Sequence, residues 1–244
     1  MSTPRLKVCG ITRLTDAQAA LNAGADWLGL IFVPGSPRAM ELKAAKTLVS
    51  ELRESHPKAY IVGVFQDVSP AEIEPYARTI GLNAIQLHGL EDPKDYTDLG
   101  LPIIKVLHLR PQLQMAELQA QAALYLQQPQ VQTLLLDLPK GSGLRSIMDW
   151  PSFHHLQELT LDVPCLVAGG LNPENIATVL EQLSPWGIDV ASGVEQTPGQ
   201  KDLSRLQAFC KQVKQPSSNA SSPFSHAKHP EILNQSGEQK PCNP

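Results

Sequence analysis

At 244 residues the chain is long enough for one large domain or two small ones, with length to spare for a buried core. Hydrophobic residues make up 42% of it, yet no run approaches the roughly 20 consecutive apolar residues that a membrane-spanning helix needs. The net charge of −4, with no cluster of Lys and Arg, argues against a nucleic-acid partner, because such proteins carry a basic face for the phosphate backbone.

The first predicted element is the strand Leu6–Cys9, which Gly10 ends at once. Further apolar runs predict strands at Trp27–Phe32, Tyr60–Phe65, Ala84–Leu87, Ile103–Leu107, Thr133–Leu136, Cys165–Ala168 and Ile188–Ala191. These runs are continuous rather than alternating, as in parallel strands covered on both faces. Helices are predicted between and after them at Thr15–Ala23, Leu42–Glu54, Pro70–Ile80, Asp95–Leu99, Leu113–Leu126, Pro151–Leu159, Pro173–Leu183 and Leu203–Val213. Ser69-Pro70-Ala71-Glu72 reads as a capping box with proline in the first turn, and Asn172-Pro173-Glu174 as a second capped start. Eight strand-then-helix units predict an α/β fold, a single-domain (β/α)8 TIM barrel over residues 1–215. An open doubly wound sheet is the alternative, and no GxGxxG follows the first strand to support it. Residues 216–244 are rich in Ser, Pro, Asn, Gln and His and predict a disordered polar tail. The N-x-S sequences there, at Asn219 and Asn234, carry no weight in a cytoplasmic chain.

That location is expected because the N-terminus lacks a basic segment followed by an apolar one. Cys9, Cys165, Cys210 and Cys242 stand far apart without metal-ligand spacing, and read as free thiols in a reducing compartment. His154 and His155 are adjacent on a predicted helix and do not share a face, so no metal site is expected there.

In a barrel of this kind the chemistry gathers at the C-terminal ends of the strands. Those ends deliver Cys9, the loop Pro34-Gly35-Ser36-Pro37-Arg38, Gln66-Asp67, His88-Gly89, His108, Asp137, Gly169-Gly170 and Ser192-Gly193. Cys9 is either a small buried hydrophobe or a thiol held at the mouth. Asp137 closes the run Leu134-Leu135-Leu136, where a carboxylate is expensive to bury without a purpose; capping the next turn is its other reading. Gly169, Gly170, Ser192 and Gly193 lie after the seventh and eighth strands, where backbone amides can cradle a phosphate. Tight turns alone would also account for the glycines. Arg38 is either a solvated surface charge or a planar fork for a carboxylate, and His88 and His108 can be plain polar residues at strand ends.

Six segments together resemble one family: KVCGIT at 7–12, GVFQD at 63–67, IQLHG at 85–89, LLLD at 134–137, AGGLNPENI at 168–176 and IDVASGVEQTPGQKD at 188–202. In order and spacing they are similar to the phosphoribosylanthranilate isomerases of tryptophan biosynthesis, over about residues 5–214. The resemblance implies a cofactor-free Amadori rearrangement of a small phosphorylated substrate, with no metal. It assigns Cys9 as the base and Asp137 as the acid. It places Gly170, Ser192 and Gly193, with Gly169 alongside, at the phosphate and Arg38 at the anthranilate carboxylate. The acid should then be raised and the thiol lowered in pKa, since their ordinary order is wrong for the task. Rival phosphosugar barrels use lysine with glutamate, or paired aspartates, and a purely binding barrel would not need the Cys9/Asp137 pair. Monomer and homodimer are equally open. One departure stands out: Leu138-Pro139-Lys140-Gly141-Ser142-Gly143 carries a lysine where the family has glycine, and Ile147-Met148 stands where an aromatic is common. The loop after Asp137 is therefore expected to close differently over the substrate.

Overall fold

A computed structural model describes residues 3–138, 142–159 and 164–215 of the chain. Eight parallel strands form a closed barrel: β1 (Arg5–Cys9), β2 (Trp27–Ile31), β3 (Tyr60–Phe65), β4 (Ala84–Leu87), β5 (Ile103–His108), β6 (Val131–Asp137), β7 (Cys165–Val167) and β8 (Gly187–Val190). Each strand pairs with the next, and β8 returns to pair with β1. The expected (β/α)8 barrel is therefore the fold, and the open sheet is excluded. The predicted tail at 216–244 and the lysine-bearing stretch at 139–141 lie outside the described residues.

The side-chain period of a strand divides the core in two. On β5, Ile104 and Val106 face inward, and on β6 Leu135 does; they join Val62, Ala84, Leu166 and Ala168 inside the barrel. The intervening residues, such as Leu107, Leu134 and Leu136, pack outward against the helices. Continuous apolar strands follow from this, because both faces are dry. Each buried Leu, Ile or Val contributes about 1.5–3 kcal/mol, so the two layers together dominate the stability. The inner layer is stoppered at the N-terminal end, where the Trp27 ring lies 5.5 Å from Tyr60 and 5.7 Å from Trp186. Function is left to the other end.

The outer layer holds α1 (Leu14–Asn22), α2 (Leu42–Ser55), α3 (Pro70–Ile80), α4 (Met115–Tyr125), α5 (Ile176–Leu183) and α6 (Leu203–Lys214). Two predicted helices, Asp95–Leu99 and Pro151–Leu159, are instead short 3-10 segments, Pro93–Leu99 and Phe153–Glu158. Both follow a proline or begin on one, and neither is long enough to repay helix nucleation with packing. The expected capping box at α3 is present. Glu72 accepts from the Ser69 amide at 2.8 Å and from its hydroxyl at 2.7 Å, so the serine hydroxyl also acts as a donor. Asn172 does cap, accepting from the amides of Glu174 and Asn175 at 2.9 and 3.0 Å, but regular helix begins only at Ile176.

Candidate active site at the barrel mouth

Cys9 and Asp137 are the last residues of β1 and β6, so both are delivered to the C-terminal mouth. Each lies on the inward face by alternation, Cys9 two residues after Lys7 and Asp137 two after Leu135. Cys9 is buried. Asp137 is partly buried, and one of its oxygens, Oδ1, accepts from the Leu138 amide at 2.8 Å. Desolvation drives its carboxyl up to about 7, helped by the nearby Asp189 and opposed by that amide bond and by Lys7. A carboxyl poised at that value can hold a proton at neutral pH and give it up.

The floor of the site is an ion pair that the sequence reading passed over. Lys7 and Asp189 face each other in register across β1 and β8, with the Lys7 Nζ 3.0 and 3.1 Å from the two carboxylate oxygens. Lys7 is fully buried. Its ammonium also adjoins the thiol. A Cβ built on Gly29 of β2 would stand 2.7 Å from the Cys9 sulfur and 3.1 Å from the Lys7 Nζ. The available signal was the charge at Lys7, two residues before Cys9 in an otherwise apolar run.

The expected pKa ordering is half met. Burial pushes the Cys9 thiol up, outweighing the pull of Lys7 and Lys201 toward the thiolate. The expected lowering of the thiol is therefore reversed. A pocket that strips water from the sulfur penalises its anion more than two buried ammonium groups compensate, particularly with Asp189 adding repulsion.

Arg38 lies beside this pair, but its fork is engaged. Its Nε and Nη2 meet the Glu195 carboxylate at 2.9 and 2.6 Å, and Glu195 is shared with Lys201 at 3.1 Å. Lys201 reaches further, donating to the carbonyl of Cys9 at 2.6 Å and of Ala191 at 3.0 Å. The Thr12 hydroxyl donates to the Gly199 carbonyl. The loop after β8, including the hairpin of β9 (Glu195–Thr197) and β10 (Gln200–Lys201), is thus stitched to the end of β1. Arg38 and Glu195 are separated by 157 positions, and no local pattern announces such a pair.

Ser192 and Gly193 open a short 3-10 turn, where the first amides have no acceptor within the turn. Gly170, after β7, stands close by in the adjoining loop. Two of these glycines have a structural reason as well. A Cβ on Gly170, at φ +65°, would drive into the Arg145 carbonyl, and one on Gly193 into the Leu171 carbonyl. Gly169 packs under Leu138, whose Cγ would lie 2.8 Å from an added Cβ. Close approach therefore accounts for the glycines even before a ligand is considered.

On the far wall stand Gln86 and His88 of the β4 end and His108 of β5. His108 is in register with Asp137, and its ring lies 5.1 Å from that of His88. Further along from Asp137, the Asp149 carboxylate accepts from the Arg145 and Ser146 amides at 2.9 Å each. Ile147 is fully buried in the position where an aromatic was expected. A cleft of about 660 Å³ between α1 and α6 lies outside the barrel and contains none of these groups. Among the described residues no helix is long and apolar enough to cross a membrane.

Comparison with known proteins bears on this arrangement. The family described as N-(5'phosphoribosyl)anthranilate (PRA) isomerase matches residues 6–212. An N-(5'-phosphoribosyl)anthranilate isomerase from Myxococcus xanthus is 42% identical over 212 residues, covering 86% of this chain and 96% of that protein. The crystal structure of phosphoribosyl anthranilate isomerase from Thermotoga maritima superposes with a TM-score of 0.73 at 32% identity, covering 86% of this chain and 98% of that one. A further crystal structure, of such an isomerase with reduced 1-(o-carboxyphenylamino)-1-deoxyribulose 5-phosphate, gives 0.71 at 31% identity over the same shares. With the match running through β1 to α6 and taking in every strand of the barrel, the chain belongs to the N-(5'-phosphoribosyl)anthranilate isomerase family.

Proposed function

We propose that this chain converts N-(5'-phosphoribosyl)anthranilate into 1-(2-carboxyphenylamino)-1-deoxyribulose 5-phosphate, with Cys9 as base and Asp137 as acid. The observation that carries the assignment is the delivery of both side chains to one mouth, with the Asp137 carboxyl raised to about 7. The reaction is an isomerisation, redox-neutral overall, in which proton transfers drive ring opening and the C1–C2 rearrangement, so two side chains of opposite protonation suffice.

The Asp137 carboxyl gives its proton to the furanose ring oxygen as the C1–O bond breaks, and the nitrogen lone pair forms an iminium. That positive charge acidifies the proton on C2, which the Cys9 thiolate takes. The C2–H electron pair becomes the C1–C2 double bond of an enolamine, which tautomerises to the C2 ketone. Raising the thiol pKa makes the thiolate rarer but a stronger base once formed. Lys7, beside the sulfur and already paired to Asp189, offers that thiolate a fixed counter-charge.

Substrate orientation rests on its two anionic ends. Gly170, Ser192 and Gly193, with Gly169, supply the phosphate end, and Arg38 the carboxylate end. Arg38 must then share its fork between Glu195 and substrate. Glu195 keeps Lys201 as a second partner, which makes such sharing affordable. Arg38→Ala is expected to lower kcat/KM by about 10–100-fold, mainly through KM, the range for losing a charged hydrogen bond. Circular dichroism should show the barrel unchanged, and unaltered kinetics would remove Arg38 from the site.

The direct test is decay of anthranilate fluorescence with freshly generated phosphoribosylanthranilate, with the rearranged product identified. Turnover by the wild type is expected. A folded protein with none would overturn the assignment in favour of a binding barrel.

A further inference from the structure

Two polar atoms at the mouth have no role in the reaction as described and no partner among the described residues. Gln86 Oε1 and His108 Nδ1 are buried and make no hydrogen bond to any of them. Leaving such atoms unpaired is costly, and native proteins rarely do so without a reason. Both belong to the inner face: Gln86 is 2% exposed on β4, and His108 follows Ile104 and Val106 at period two on β5.

Their chemistry is fixed by their other bonds. His108 Nε2 lies 2.8 Å from the His88 carbonyl oxygen, which can only accept, so Nε2 carries the hydrogen. In the neutral ring Nδ1 is then an acceptor. The Gln86 amide is placed with its nitrogen 3.5 Å from the His88 Nδ1, which leaves Oε1 as its unpaired acceptor end among the described residues. Two acceptors therefore stand on one wall, beside Asp137, with which His108 is in register. The wall lies across the barrel from the phosphate loops after β7 and β8.

We propose that His108 Nδ1 and Gln86 Oε1 form an acceptor wall that binds the donor groups of the substrate, its sugar hydroxyls and its anilino N–H. This rests on the isomerase reading above and deepens it. Both ends of that substrate are anionic and offer acceptors only; its donors lie in the middle, where the acid and base act. An acceptor wall next to Asp137 holds that middle portion and repels the carboxylate and the phosphate. It thereby opposes a reversed or shifted pose that would move the ring oxygen away from the acid.

The test uses the full chain labelled with ¹⁵N-histidine and two probes, reduced 1-(o-carboxyphenylamino)-1-deoxyribulose 5-phosphate and inorganic phosphate. The His108 Nδ1 resonance, assigned by its loss in His108→Phe, should be of the unprotonated type and should shift with the reduced analogue but not with phosphate. His108→Phe should bind the analogue about tenfold more weakly, as expected when a buried donor loses its acceptor, and bind phosphate within twofold of wild type. His108→Asn, whose amide oxygen falls near the Nδ1 position, should recover most of the loss; it carries the mutational test if the phenylalanine variant does not fold. A wild type that binds the analogue with an unmoved Nδ1, or variants that bind it as tightly as wild type, would overturn the wall and leave the isomerase reading standing. A wild type that does not bind the analogue at all would overturn both.

Discussion

Exchange of Cys9 for alanine is expected to lower kcat by about 10²–10⁴-fold, the range for removing a general base, while KM changes little. In the proposed mechanism the sulfur acts on the C2 proton and on neither anionic end of the substrate, so binding should survive and chemistry should not. The barrel should stay intact, because only a small buried atom is lost and the inner layer beneath it is untouched; thermal unfolding would check this. Progress curves at saturating substrate give the answer directly. Turnover within a few-fold of wild type would mean that another group removes the C2 proton.

Asp137→Asn should cost a similar factor and also leave two signatures that a merely structural residue would not. The first is in the pH profile. The proposed mechanism needs Asp137 protonated and Cys9 ionised, yet burial pushes the carboxyl up to about 7 and the thiol above its usual range. Below about 7 the thiolate becomes scarcer as pH falls while the carboxyl is already fully protonated, so kcat/KM declines. Between the two values the gain in thiolate offsets the loss of protonated acid, which gives a plateau. Above the thiol value the rate falls again. In the asparagine variant the bend at about 7 should disappear, and the residual rate should keep rising with pH until the thiol is ionised.

The second signature is stability. The Asp137 carboxyl is raised from the usual 3.9 of an unfolded chain, so the folded state holds its proton more tightly. The resulting stabilisation is complete below about 3.9, and is lost as pH rises through about 7, where folding forces a charge to remain in a dry site. At pH 8 the native carboxylate should cost about 2–4 kcal/mol, using 1.36 kcal/mol per pH unit as an upper scale. Asparagine keeps the acceptor for the Leu138 amide and carries no charge. The inactive variant is therefore expected to melt higher than wild type at pH 8, with the difference shrinking toward pH 5. An Asp137→Asn protein that is equally stable at both pH values would argue against a raised carboxyl.

The barrel and the mouth positions of Cys9 and Asp137 were legible in the sequence for a simple reason. A polar residue ending a run of buried apolar ones, as in Leu134-Leu135-Leu136-Asp137, marks both the strand and its open end. Lys7 and Asp189 were not read, although they sit in equally clear strands, because a charge inside an apolar run looks like noise until its partner is known. That partner lies 182 positions away. The Arg38–Glu195 pair escaped for the same reason, and it changes what Arg38 is doing in the absence of substrate. Element boundaries failed where local preference is weakest. Strand β6 begins at Val131 rather than Thr133, next to a register irregularity at Ile103 and Ile104, and the two proline-led segments wind as 3-10 rather than α-helix. His108 was noticed only as a polar strand end, since nothing in the sequence reveals that one of its nitrogens would be stranded.

The Lys7–Asp189 pair also has a meaning in time. Strand β1 is the first of the barrel to leave the ribosome and β8 the last, so Lys7 exists for nearly the whole of synthesis without the carboxylate it will meet. At about 5–20 residues per second that interval is on the order of 10–40 seconds. Until β8 arrives, an ammonium destined for a dry interior must remain in water, which keeps the seam between the first and last strands open. The electrostatic floor beneath Cys9 is completed by the same event that closes the barrel, so a nascent or truncated chain carries the thiol but not the surroundings in which it can act.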